Sequence, residues 1–164
     1  MRKILTIGLF MLIVPFAFSK QSISDAEALN FFNLYQKMIQ ERSTNVMQLL
    51  SKDVQLYSKT LTANGTTYVT QYDIEEVLKF IRAVQAFIYL NKEESEFEKI
   101  ALTRKADQVI IRAQRFSTTN CYLDKEYYVI IERERNFIKV MEEMITIDQT
   151  KSCESLENID LKIK

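Results

Sequence analysis

Few side chains in this sequence could do chemistry, and the absences are as informative as the presences. The 164 residues include no histidine. The commonest general base and the commonest metal ligand are therefore missing. Ser–His and Cys–His nucleophile pairs are excluded in their usual forms. There are two cysteines, Cys121 and Cys153. A zinc site would have to draw both of them together with carboxylates. The two glycines, Gly8 and Gly65, cannot build a glycine-rich phosphate or dinucleotide loop. No metal and no cofactor is expected. What remains is carboxylate chemistry. The visible clusters are Glu93-Glu94, Glu132 with Glu134, and Glu142-Glu143. Neighbours on a strand point to opposite faces, so Glu142 and Glu143 are not expected to act together. Glu132 and Glu134 share one face, and Arg133 and Arg135 the other. Arg112 and Arg115 are expected to pair with the acidic set across a sheet. That pattern describes a solvated face laced with cross-strand ion pairs. The alternative is a patch for a protein partner built from Arg112, Arg115, Glu132 and Glu134. No residue stands out as catalytic.

The elements that would position these side chains begin after an export signal. Arg2 and Lys3 open the chain. An apolar run follows from Ile4 to Phe18, broken by Thr6, Gly8 and Pro15, and Ala17-Phe18-Ser19 ends it in a small-x-small pattern. These are the three parts of a cleavable signal peptide, assigned to residues 1–19. A membrane anchor is the alternative, but a spanning helix needs roughly 20 apolar residues. The expected location is periplasmic or secreted, with no membrane attachment after cleavage. Loss of Arg2 and Lys3 takes Lys+Arg from 22 to 20, against 22 Asp+Glu, for a net charge of −2. That balance gives no general reason to bind nucleic acid. In an oxidising compartment, Cys121 and Cys153 are expected to form one disulfide, with two free thiols as the alternative.

The remaining stretch, about 145 residues, suits a single domain. It spans 20–148, with a polar tail over 149–164. Ser24-Asp25-Ala26-Glu27 fits a capping box, and Ala28, Phe32, Tyr35 and Ile39 repeat at helical spacing. The spacing predicts a helix over 25–42 and a short second one over 45–51. Residues 53–61 alternate loosely, and Asn64-Gly65 is a sharp turn signal. Residues 66–69 are expected to return as the second strand of a hairpin. An apolar stripe from Ile74 to Ile88 predicts a third helix over 71–90. Four strands are then expected over 96–104, 108–117, 122–134 and 137–147. Short breaks between them imply an antiparallel meander. The fold class is α+β.

This order of elements resembles the nuclear transport factor 2-like superfamily, which includes polyketide cyclase-like and ketosteroid isomerase-like proteins. The resemblance spans about residues 24–147. Its most characteristic part is Leu49-Leu50-Ser51-Lys52-Asp53-Val54, a short helix leading into a strand, followed by the hairpin and the helix from Gln71. It implies three N-terminal helices packed on a curved antiparallel sheet that forms a cone around a pocket. Tyr35, Tyr57, Phe80, Phe87 and Tyr127 are the candidates to line it. Alternatively, these aromatics fill the core. Members resembling the isomerase place an ionisable base at the end of the first strand. Here that position is Ser58, a poor proton acceptor without an adjacent base, and Asp53 comes too early. The resemblance also implies a possible homodimer through the open sheet face. The expected function is a non-catalytic binding module for a small apolar ligand or a protein partner. A periplasmic immunity protein against a toxin is one alternative. A cone-pocket enzyme using a buried carboxylate or tyrosine is the other.

Overall fold

A computed structural model describes residues 21–85, 95–118 and 120–153, with the backbone alone for 80–85. The proposed signal segment and residues 154–164 lie outside them.

The capping box forms as expected. Ser24 Oγ accepts from Glu27 N at 3.2 Å, and Glu27 Oε2 accepts from Ser24 N at 2.8 Å. It starts α1, Asp25–Gln40. The hydrogen bonds from the Ser24 backbone and hydroxyl, then the one from Arg133, hold the Glu27 carboxyl down at about 2. A carboxyl lowered on folding stabilises above its ordinary value of 4.5. That contribution is lost as pH falls toward the folded value. Helix α1 buries Ala28, Phe31, Phe32 and Tyr35. The second helical segment is a single 3-10 run, Thr44–Leu49, capped by Ser43.

The hairpin follows. Strands β1, Leu50–Leu61, and β2, Thr67–Tyr72, are antiparallel. Gly65 takes φ +83°, which a side chain would strain. Helix α2, Ile74–Gln85, starts from a second capping box, in which Asp73 Oδ1 accepts from Glu76 N at 2.8 Å and Glu76 Oε2 from Asp73 N at 3.0 Å. The remaining strands are β3, Ser95–Lys105; β4, Gln108–Ser117; β5, Tyr122–Asp124; β6, Tyr128–Glu134; and β7, Phe137–Asp148. The strand expected over 122–134 is split. Asp124 Oδ1 accepts from Glu126 N at 2.9 Å, and this local turn ends β5 before Tyr127. Both pieces still run along β4.

The strands make one sheet in the order β2-β1-β7-β6-β4-β3, with β5 on β4. The sheet is mixed, which corrects the antiparallel expectation, because β1 and β7 pair in parallel. Short breaks report only on neighbours in sequence, and β1 and β7 are the first and last strands along the chain. Among the described residues the helical segments are α1, α2 and the short 3-10 turn, so only two of the three expected N-terminal helices are α-helical.

The face of the sheet that carries α1 is the inner face. Val109, Ile111, Ala113, Val129, Ile131 and Val140 line it, together with the buried face of α1. Register shifts interrupt β3 between Glu98 and Ala101 and β7 at Met141. Bulges of this kind bend a strand and sharpen its twist. A disulfide joins Cys121 to Cys153 and ties the end of the domain to the β4–β5 turn. It favours a compartment outside the cytoplasm. Among the described residues no helix is long and apolar enough to cross a membrane.

Candidate functional site

The bulge in β7 decides which carboxylate enters the interior. Val140 pairs with Ile131 and is buried on the inner face. Simple alternation from Val140 would send Glu142 inward. Met141 is the extra residue, so Glu142 pairs with Ile130 on the outer face and Glu143 with Val129 on the inner one. Two phenols meet Glu143 there. Tyr35 Oη, from α1, donates to Glu143 Oε2 at 2.7 Å, and Tyr127 Oη donates to Oε1 at 2.8 Å. Gln36 Nε2, one position along α1, donates to Tyr127 Oη at 2.6 Å. Tyr35 and Tyr127 are almost fully buried, at 2% and 1% exposure. Glu143 itself keeps part of its surface open.

Burial pushes the Glu143 carboxyl above its ordinary 4.5. The two phenol hydrogen bonds and the nearby Arg115 charge pull the other way without cancelling that shift. Burial, followed by the charge of Glu143, pushes both phenols well above 10.0. The aromatic wall beside this group is made by Phe32 and Phe97, with Phe97 5.1 Å from the Tyr127 ring and Phe32 5.3 Å from Phe97. Chemically, the arrangement offers a carboxyl that exchanges a proton nearer neutrality than usual. It sits on an apolar wall, with two aligned donors.

A second polar cluster lies next to it. The β6–β7 ladder ends at Met144, so on the side away from β1 no strand among the described residues pairs with Thr146 of β7. Side chains take that place. Asp124 Oδ2 accepts from Thr146 N at 2.7 Å. Arg115 Nη2 donates to Thr146 O at 2.9 Å and to Tyr122 Oη at 2.7 Å, and Tyr122 Oη donates to Thr146 O at 2.5 Å. Arg115 Nε stands 3.7 Å from Asp124 Oδ2. Arg115 also reaches Ser95 Oγ at 3.3 Å, and Gln40 Nε2 of α1 donates to Ser95 O at 2.7 Å. Arg115 was expected on an outer partner face. It is buried at 6% exposure, because it lies three residues from Arg112 and a strand alternates every two.

The structure brings together two of the expected pocket residues, Tyr35 and Tyr127, and it unites them through Glu143. Tyr57 lies on the outer face instead, between the inward Leu56 and Ser58, with its hydroxyl on Gln55 Oε1 at 2.7 Å. The side chain of Phe80 and the whole of Phe87 lie outside the described residues. Ser58 is buried on β1, with its Oγ 3.3 Å from Tyr72 Oη. Asp53 is exposed and pairs with Lys52 at 3.0 Å. On the outer face the Arg112 guanidinium sits 5.4 Å over the Tyr128 ring, and Tyr128 Oη donates to Glu142 Oε1 at 2.5 Å. Burial and that hydrogen bond push the Tyr128 phenol up to about 12. Glu132 accepts from Gln108 Nε2 at 3.1 Å, and Glu134 from Ser51 Oγ at 2.5 Å. Among the described residues no three His, Cys, Asp or Glu side chains gather as a metal site.

No protein-family model and no curated protein matches the sequence. Solved structures match the architecture. A nuclear transport factor 2-like protein of unknown function from Pseudomonas putida aligns at TM-score 0.53 and 7% identity, over 77% of this chain and 87% of that one. The β subunit of benzoate 1,2-dioxygenase from Burkholderia mallei aligns at TM-score 0.55 and 7% identity, over 83% and 95%. A proposed ketosteroid isomerase from Parabacteroides distasonis aligns at TM-score 0.52 and 9% identity, over 74% and 85%. The chain has the nuclear transport factor 2-like fold. At these identities the likeness speaks for the fold alone, a fold on which binding modules and enzymes are both built.

Proposed function

We propose that the chain is an exported binding protein that holds a small, largely apolar molecule against the inner face, with Glu143 as its polar anchor. One observation carries the reading. Glu143 is gripped on the inner face by phenols from two different elements, beside a wall of phenylalanines. An apolar wall with a few convergent polar groups is the usual make-up of a small-molecule site. The signal pattern at Arg2 to Ser19 and the disulfide support export. A second reading uses the same residues. The raised proton affinity of Glu143 suits a general acid or base, so a cone-pocket enzyme is the alternative.

The test is thermal unfolding of the disulfide-intact chain with a panel of phenols, aromatic amines and long-chain alcohols. A ligand present at 100 times its Kd stabilises the native state by about 2.7 kcal/mol. At least one class is expected to raise the midpoint by several degrees, and Glu143→Gln is expected to lose that rise. No rise with any class contradicts the binding reading. Conversion of the bound compound would favour the enzyme.

A further inference from the structure

The two edges of the sheet are unlike. Strand β3, at one end, carries Glu96, Glu98, Lys99, Arg104 and Lys105 and is bulged at Lys99, which takes φ +51°. Charge and a bulge are the usual protections of an edge. Strand β2, at the other end, has neither. From Leu61 to Tyr72 the chain carries no charged residue, although 27% of the whole chain is charged. The β2 sequence Thr-Tyr-Val-Thr-Gln-Tyr is rich in strand formers. Its apolar side chains stand open, Tyr68 at 48%, Val69 at 56% and Tyr72 at 38% exposure.

Among the described residues no strand pairs with the outer edge of β2. Thr62 N donates to Thr66 O at 2.9 Å, which marks Thr62 and Thr66 as a hydrogen-bonded pair of the hairpin. Antiparallel pairs alternate, so Tyr68, Thr70 and Tyr72 turn their backbone groups toward β1. The N–H and C=O groups of Thr67, Val69 and Gln71 therefore point out of the sheet.

We propose that β2 is a self-pairing edge, and that a second copy of this chain adds its own β2 antiparallel across a twofold axis at Val69. In that register Val69 faces the second copy's Val69, and Thr67 faces the second copy's Gln71. All three outward residues then meet outward residues, giving about six N–H···O bonds across the joint. A surface that meets itself must be complementary to itself in charge, and an uncharged strand satisfies this in any register. The contrast between the edges also fixes the assembly. Because β3 is protected, β2 cannot pair with the β3 of the next copy and grow a fibre. Only the closed dimer forms.

Sedimentation equilibrium over a range extending to about 1 mM chain, a Kd equivalent to about −4.1 kcal/mol, reads the association. The intact chain is expected to dimerise in this range, and Val69→Lys to weaken dimerisation at least tenfold with its circular dichroism unchanged. Facing Cα atoms in such a pair stand about 5.5 Å apart, within disulfide reach. Val69→Cys is thus expected to cross-link the dimer under mild oxidation, while Asn64→Cys at the hairpin tip does not. A chain that stays monomeric throughout overturns the proposal and leaves the edge to a foreign strand. So does a dimer that Val69→Lys leaves intact or that Val69→Cys fails to cross-link.

Discussion

Asp124→Ala is expected to lower the free energy of unfolding by about 3–5 kcal/mol. Asp124 is 2% exposed and Arg115 6%. The carboxylate makes three contacts, with Arg115 Nε at 3.7 Å, Thr146 N at 2.7 Å and Glu126 N at 2.9 Å. Removing it takes the nearest counter-charge from the buried Arg115 guanidinium and the side-chain acceptor from the Thr146 amide. A buried charge stripped of its partner costs more than the pair itself was worth. For the same reason the double variant Asp124→Ala, Arg115→Met should regain part of the loss. The coupling between the two sites, read from a four-way cycle of denaturant melts, should exceed about 1 kcal/mol. Additive losses would mean that the two side chains act separately.

The second large effect is that of the disulfide. Cys121 and Cys153 are 32 residues apart. Chain-entropy arguments give a loop of that length about 3–4 kcal/mol. A domain of this size loses a few degrees per kcal/mol, so Cys121→Ser with Cys153→Ser should lower the thermal midpoint by about 10 °C. The loss should also reach the polar cluster. Cys121 directly precedes Tyr122, whose hydroxyl bridges Arg115 and Thr146. Amide exchange at Thr146 should therefore speed up more than exchange at Val129, which lies in the covered middle of the sheet. An unchanged midpoint would show that the bridge adds nothing to the domain.

The elements were legible where local chemistry dictates them. Ser24 and Glu27 announce α1, Asn64-Gly65 announces the hairpin, and Cys121 and Cys153 find each other. The apolar residues of 128–131 mark a strand by composition alone. What could not be read depends on distant partners. The parallel β1–β7 pairing joins residues 87 to 90 apart in sequence, a contact that strand spacing does not encode. Tyr35 and Tyr127 were among the expected pocket residues, but the carboxylate that unites them was missed for a related reason. Glu142 and Glu143 look alike in the sequence, and alternation from Val140 favours Glu142 as the inward residue. The extra residue at Met141 reverses that choice, and nothing in Val-Met-Glu-Glu-Met announces a bulge. Arg115 is different, because its burial could have been anticipated. It shares the alternation of Val109, Ile111 and Ala113, whereas Arg112 does not.

Glu143 is an interior carboxyl poised by its surroundings. Burial raises its proton affinity, so it favours folding most when protonated, below 4.5. Its contribution fades as pH rises through the folded value, the opposite sense to Glu27. The direct measurement is the titration of the Glu143 side-chain carboxyl carbon by nuclear magnetic resonance in the intact chain. The expected midpoint lies above 4.5 and moves higher still in Tyr127→Phe, which removes a hydrogen bond that favours the carboxylate. A midpoint at or below 4.5, unmoved by that substitution, would contradict the account.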